Sequence, residues 1–180
     1  MKRFPLVGLG ILLLAAVLTA QRLTRAEMRA RTDRTAAPSL RLVNATGNVV
    51  RLSDFRGRPL VLNFWATECG GCKVELPTFV NLARKYKKEG LTVAGVSMDI
   101  MYSDLKDAAA GWSQVKAFLR THRLDYPIVL DDGSGAKAFN VTAIPATYLI
   151  DSTGRIAATY VGVVEPKDIE TNIRALLAER

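Results

Sequence analysis

The chain has 180 residues, 49% of them hydrophobic, and a formal net charge of +8. That supports one domain of ordinary size with a short appendage, and a core that does not depend on cross-links. Seven of the 25 Lys and Arg side chains fall in the first 35 residues, against two acids. The rest of the chain is nearly balanced and carries no basic-aromatic stripe, which argues against a nucleic-acid partner.

The N-terminus reads as a membrane signal. Met1-Lys2-Arg3 precedes an uncharged stretch from Phe4 to Ala20. Leu18-Thr19-Ala20 puts Leu where a cleavage site needs a small residue, so residues 1–21 are expected to be a signal-anchor and transmembrane helix. The alternative is a cleaved signal and a secreted or periplasmic protein. Residues 22–37 read as a linker. Their arginines, taken alone, would hold the following domain in the cytoplasm. The cysteine chemistry below belongs outside the reducing cytosol. The expected location is therefore the cell (inner) membrane, single-pass, with the domain of residues 38–180 on the periplasmic side.

Within that domain, 40–43 and 49–52 flank a turn containing Gly47, the pattern of a hairpin. Ser53–Gly57 suggests a helical turn. Leu60–Ala66 is a nearly unbroken apolar run, as in a central strand covered on both faces. A helix is expected over 70–88, with Leu76, Phe79, Leu82 and Tyr86 on one stripe, a kink at Pro77 and a stop at Gly90. A strand follows at 91–97, then an exposed irregular insertion at 100–111. Helical spacing resumes at 112–123. A short extended piece spans 126–130 and a short helix 134–139. Strands at 146–150 and 156–161 lead to an amphipathic helix at 166–178. Strands alternating with helices, then a hairpin and a helix, imply an α/β fold with a mixed central sheet flanked by helices.

Cys69-Gly70-Gly71-Cys72 sits directly after the central strand and holds both cysteines of the chain. At this spacing a following helix can take the first sulfur at its N-terminus, where unpaired N–H groups and the helix dipole favour thiolate. A strand running into such a turn points to redox exchange. A structural zinc site would want about four Cys or His ligands, and only His122 is left to join the pair. A purely structural disulfide over so short a loop would gain little. A soft metal such as Cu(I), which thiolates select, stays open.

The run Asn63-Phe64-Trp65-Ala66-Thr67-x-Cys-x-x-Cys-Lys-x-Glu-x-Pro, with Thr142-Ala143-Ile144-Pro145-Ala146-Thr147-Tyr148-Leu149-Ile150-Asp151 far downstream, resembles the TlpA/ResA-like branch of the thioredoxin superfamily. The likeness covers roughly residues 38–180. It implies a thioredoxin-like fold with an N-terminal hairpin extension, and a thiol-disulfide oxidoreductase that needs no cofactor. Exported protein thiols or disulfides would be its substrates, a membrane or periplasmic donor would supply electrons, and cytochrome c maturation is one setting. Direction is expected to be reductive. By position, Cys69 would attack and Cys72 resolve, the two alternating between dithiol and disulfide. Pro145 would be a cis-proline beside them, with the Ile144 backbone turned out to a substrate chain. Glu75 would be a buried acid that moves protons or tunes the thiols, and Trp65 a wall of the substrate groove or, equally, plain core.

Two departures stand out. Glu68 precedes Cys69 where relatives usually carry Trp, and the intervening pair is Gly-Gly without a stiffening proline. Both bear on potential and partner. The competing functions are a Cu(I)-binding assembly factor or metallochaperone, and a thiol peroxidase relative. His122 reads as a helix-terminal surface residue; Met98, Asp99 and Met101 read as core and loop.

Overall fold

The computed structural model describes residues 23–179. The expected anchor at 1–21 lies outside them. Among the described residues no helix is long and apolar enough to cross a membrane.

Eight strands form one mixed sheet: β1 (Thr35–Ala36), β2 (Arg41–Asn44), β3 (Val49–Arg51), β4 (Leu60–Trp65), β5 (Thr92–Ser97), β6 (Ile128–Leu130), β7 (Ala146–Ile150) and β8 (Arg155–Val161). Their order across the sheet is β1-β8-β7-β4-β5-β6-β2-β3. β4 is central. It runs parallel to β5, with Asn63 opposite Gly95, and antiparallel to β7, with Asn63 opposite Thr147. All six β4 residues are buried because each face carries its own core. Val61 joins Phe79, Leu82, Ile169 and Ile173 on one side. Leu60, Leu62 and Phe64 join Leu42, Phe139 and Tyr148 on the other. A continuous apolar run is what a strand covered twice requires.

The helices are α1 (Gly70–Lys85), α2 (Asp99–Tyr102), α3 (Ala108–Leu119), α4 (Ser134–Ala138) and α5 (Pro166–Ala178). α1 ends at Lys85, three residues before the expected end at 88, and runs without a break through Pro77. The hairpin forms as β2 and β3 at the sheet edge. The stretch 100–111 is not an irregular insertion. It contains most of α2 and the start of α3, which the Asp107 carboxylate caps by accepting from the Ala110 N–H at 2.9 Å. Ala108-Ala109-Ala110 shows no amphipathic period, so only capping and propensity mark this helix start.

Residues 22–37 were expected to be an unpacked linker, and from Thr24 onward the chain does not behave as one. Thr24, Ala26 and Met28 turn inward while Leu23, Arg25, Glu27 and Arg29 face solvent. Ala26 donates its N–H to Asp168, and Asn172 donates to the Ala26 carbonyl. Arg29 donates its N–H to Ala157. Beyond it Arg34, 2% exposed, makes a two-pronged bond to Glu179 at 2.6 and 2.7 Å and a third contact to Asp151 at 3.1 Å. β1 then pairs with β8. A strap therefore runs along the sheet edge. A buried guanidinium with three carboxylate contacts locks its far end.

Candidate active site

Strand β4 delivers the chain into Ala66-Thr67-Glu68 and then the cysteines. Cys69 and Cys72 form a disulfide with Cα atoms 5.3 Å apart. Cys69 is the N-cap of α1. Its sulfur accepts the Cys72 N–H at 3.1 Å, and its carbonyl accepts the Lys73 N–H. The first sulfur thus occupies the positive end of the helix, where a thiolate would be favoured. Cys69 is 4% exposed and Cys72 is fully buried, so the little surface that the disulfide shows belongs to Cys69.

The Ile144–Pro145 peptide is cis, as the resemblance implied. Pro145 lies against the cysteine loop. A β-carbon at Gly71 would come 3.4 Å from the proline ring and 3.1 Å from the Val163 side chain, whereas one at Gly70 would meet open space. Only the second of the two glycines is therefore held by a close approach. Ile144 is partly exposed beside the loop. Pro145 is joined to the end of β8 by the Gly162 N–H, which donates to its carbonyl at 2.8 Å.

Glu75 lies one helical turn beyond Cys72 and is 1% exposed. One carboxylate oxygen accepts from the Asn63 amide at 2.8 Å, the other from the Val164 N–H at 3.1 Å. Burial pushes its pKa up to about 7, with the Val164 and Asn63 hydrogen bonds holding it back. A carboxyl poised there can give or take a proton near neutrality. The Asn63 amide also donates to Thr147 on β7. Its carbonyl oxygen has no protein partner, nor do the Trp65 indole N–H and the Tyr126 hydroxyl. These are the only such buried side-chain atoms among the described residues. The Trp65 N–H and the Tyr126 ring both approach Gly95, the residue paired with Asn63. Burial, then the Glu75 charge, holds the Tyr126 phenol well above its ordinary value.

Trp65 does not line an open groove. It is fully buried, with its ring against Phe118 at 5.3 Å between centroids. It points onto the same sheet face as Asn63, two residues earlier, and α3 covers it.

Asp99, which read as core or loop, has connections that its sequence neighbourhood does not show. Its fully buried carboxylate accepts from the Thr67 N–H at 3.0 Å, the Thr67 hydroxyl at 2.5 Å, the Ser97 hydroxyl at 2.6 Å and the Gln114 amide at 3.0 Å. These bonds tie the loop before Cys69 to β5 and α3. Glu68 is exposed and its charge faces water, where screening weakens it. His122 is exposed and stacks on Phe118 at 3.9 Å. Among the described residues no group of three or more His, Cys, Asp or Glu is arranged to hold a metal.

Comparison with known proteins agrees with this geometry. Residues 34–159 match the family model described as the AhpC/TSA family. The thiol-disulfide oxidoreductase ResA of Geobacillus kaustophilus is 32% identical over 141 residues, 78% of this chain and 75% of that protein. The thioredoxin-like protein YneN of Bacillus subtilis is 32% identical over 76% of each chain. Among solved structures, a Chlorobium tepidum protein assigned as the thiol:disulfide interchange protein DsbE is 30% identical. It superposes with a TM-score of 0.68, covering 80% of this chain and 96% of that one. A secreted thiol-disulfide isomerase of Corynebacterium glutamicum, 23% identical, shares the fold with a TM-score of 0.74 over 86% of this chain and 92% of that one. The chain has the thioredoxin-like α/β fold and belongs to the AhpC/TSA family, within which it is a thiol-disulfide oxidoreductase of the ResA type.

Proposed function

We propose that the protein reduces disulfides in exported proteins through a Cys69/Cys72 cycle, in an extracytoplasmic setting, with the haem-attachment cysteines of cytochromes c among its clients. The observation that carries this reading is the placement of the Cys69 sulfur at the mouth of α1, in a loop packed on Pro145, with Cys72 one turn from a buried acid.

In the reductive direction the Cys69 thiolate attacks one sulfur of the client disulfide. The client S–S bond breaks, its other sulfur leaves as a thiolate and takes a proton, and a mixed disulfide joins Cys69 to the client. Glu75 accepts the Cys72 proton. The Cys72 thiolate then attacks Cys69, the mixed disulfide breaks, and the second client thiol departs. Two electrons have passed to the client and the protein holds its own disulfide. A dithiol donor resets it by the same steps in reverse. The client backbone would lie along Ile144, the position given to it by the cis-proline resemblance.

The extracytoplasmic placement rests on the basic-then-apolar start of the sequence and on where dithiol clients occur. The Cu(I) reading has less behind it, since His122 is stacked on Phe118 and exposed. The peroxidase reading is weaker too, because the Thr67 hydroxyl already donates to Asp99.

The test is the reduction potential against glutathione at pH 7. A value near that of thioredoxin, about −270 mV, is expected of a reductant. A value near about −120 mV would make the protein an oxidant and overturn the assigned direction.

A further inference from the structure

The strap and the redox site meet at one short segment, residues 161–165. Thr24 sits against it as a parallel bridge opposite Val164. The Thr24 N–H donates to the Val163 carbonyl at 2.6 Å, and the Thr24 carbonyl accepts from the Glu165 N–H at 2.8 Å. The Thr24 hydroxyl donates to the Val161 carbonyl at 2.9 Å. In an extended segment, successive peptide groups point to opposite edges. The strap takes the edge offered by Val163 and Glu165, so the Val164 N–H faces the other way, onto Glu75. Gly162, at φ +101°, donates its N–H to Pro145, while a β-carbon on it would fall 2.8 Å from the Thr24 hydroxyl. Val163 packs its side chain beside Gly71 in the cysteine loop. The segment that Thr24 holds thus touches the acid, the cis-proline and the turn between the cysteines.

We propose that Thr24 is a positioning residue of the redox site: the strap pins residues 161–165 so that the Val164 N–H stays on Glu75 and the Gly162 N–H stays on Pro145. This rests on the reading of Glu75 as the acid of the exchange. A freed 161–165 segment would withdraw a donor from the ionised carboxylate, and a carboxylate that loses a hydrogen bond becomes harder to ionise. The strap is itself anchored at Ala26, Arg29 and Arg34, so Thr24 can be altered while the rest stays docked.

The experiment uses the full chain with Thr24→Pro, which deletes the N–H donor and the hydroxyl, and Thr24→Val, which keeps the backbone pairing. Glu75→Gln is the reference. Two quantities are read: hydrogen exchange of the Val164 and Gly162 amides, and the pH at which the Cys69/Cys72 exchange equilibrium inflects. Thr24→Pro is expected to speed exchange at both amides about ten-fold or more, with β4 amides unchanged. It is also expected to move the inflection to higher pH. Thr24→Val leaves the inflection in place and speeds exchange less. Unchanged exchange at Val164 in folded Thr24→Pro overturns the proposal. So does an unmoved inflection when Glu75→Gln removes that inflection. If Glu75→Gln leaves the inflection where it was, the acid assignment is what fails, and the exchange rate at Val164 alone decides whether Thr24 pins the segment. Should Thr24→Pro not fold, Thr24→Gly, which loosens the pairing without deleting the N–H, is read by the same two criteria.

Discussion

Replacing Cys72 with alanine is expected to stop turnover and to leave client protein covalently attached to Cys69. Without a resolving thiol the mixed disulfide has no internal route to break, so the complex accumulates and runs as a larger species on a non-reducing gel. Cys69→Ala is expected to lose turnover as well, but with no trapped complex, because Cys72 is fully buried and shut off from a client sulfur. Turnover in either variant should fall to background. The asymmetry follows from the fold rather than from the motif. The helix begins at Gly70 with Cys69 as its N-cap, so the first sulfur receives the Cys72 N–H and the end of the helix dipole, while Cys72 is buried within the first turn. Trapped client on Cys72 in the Cys69→Ala protein would reverse the roles.

The second large effect belongs to Glu75. Its carboxyl ionises near pH 7 in the folded chain, against an ordinary value of 4.5. A raised folded-state value means that the native protein holds this proton more tightly than the unfolded chain does. Its contribution to stability is full below about pH 4.5, falls as pH rises towards about 7, and is then constant. Over that window the loss is on the order of 3 kcal/mol. Glu75→Gln removes this contribution, so urea midpoints measured between pH 4.5 and 8 should decline less for the variant than for the parent. The Asn63 carbonyl oxygen, which has no protein partner, gives the new amide an acceptor after a turn of the Asn63 side chain. Catalysis should suffer instead. Losing a general base for Cys72 slows resolution by about 10²-fold at pH 7, with much less effect on the first attack by Cys69. Equal slowing of both steps would show that Glu75 acts only by shaping the helix.

The parts of this site that were legible in the sequence are those encoded locally. The five apolar residues of β4, interrupted only by Asn63, needed no partner to announce a buried strand. The cysteine spacing, placed where that strand ends, fixed the helix start at Gly70. Pro145 came through resemblance, and its bond is cis. Glu75 too came through resemblance, and its carboxyl is buried. The rest depends on partners far along the chain. Thr24 bonds to Val161, 137 residues away, and Arg34 to Glu179, 145 residues away. A period-two pattern did exist in Leu23–Arg29, where Arg25, Glu27 and Arg29 alternate with Thr24, Ala26 and Met28. Charges in a segment after an apolar stretch also suit a linker, and nothing local separates the two. Trp65 stood open between groove wall and core. Its burial was decided by Phe118 on α3 and by the missing side chain of Gly95. Asp99 read only as core or loop near a strand end, because its hydrogen-bond partners Thr67, Ser97 and Gln114 are brought together only by the folded sheet.

The central claim is that the two sulfurs differ, the first reactive and reachable, the second held in reserve. Alkylation of the fully reduced protein with iodoacetamide at pH 7, followed by peptide mass spectrometry over time, reads that difference directly. Modification of Cys69 well before Cys72 is the outcome expected here. Equal rates, or Cys72 reacting first, would contradict it.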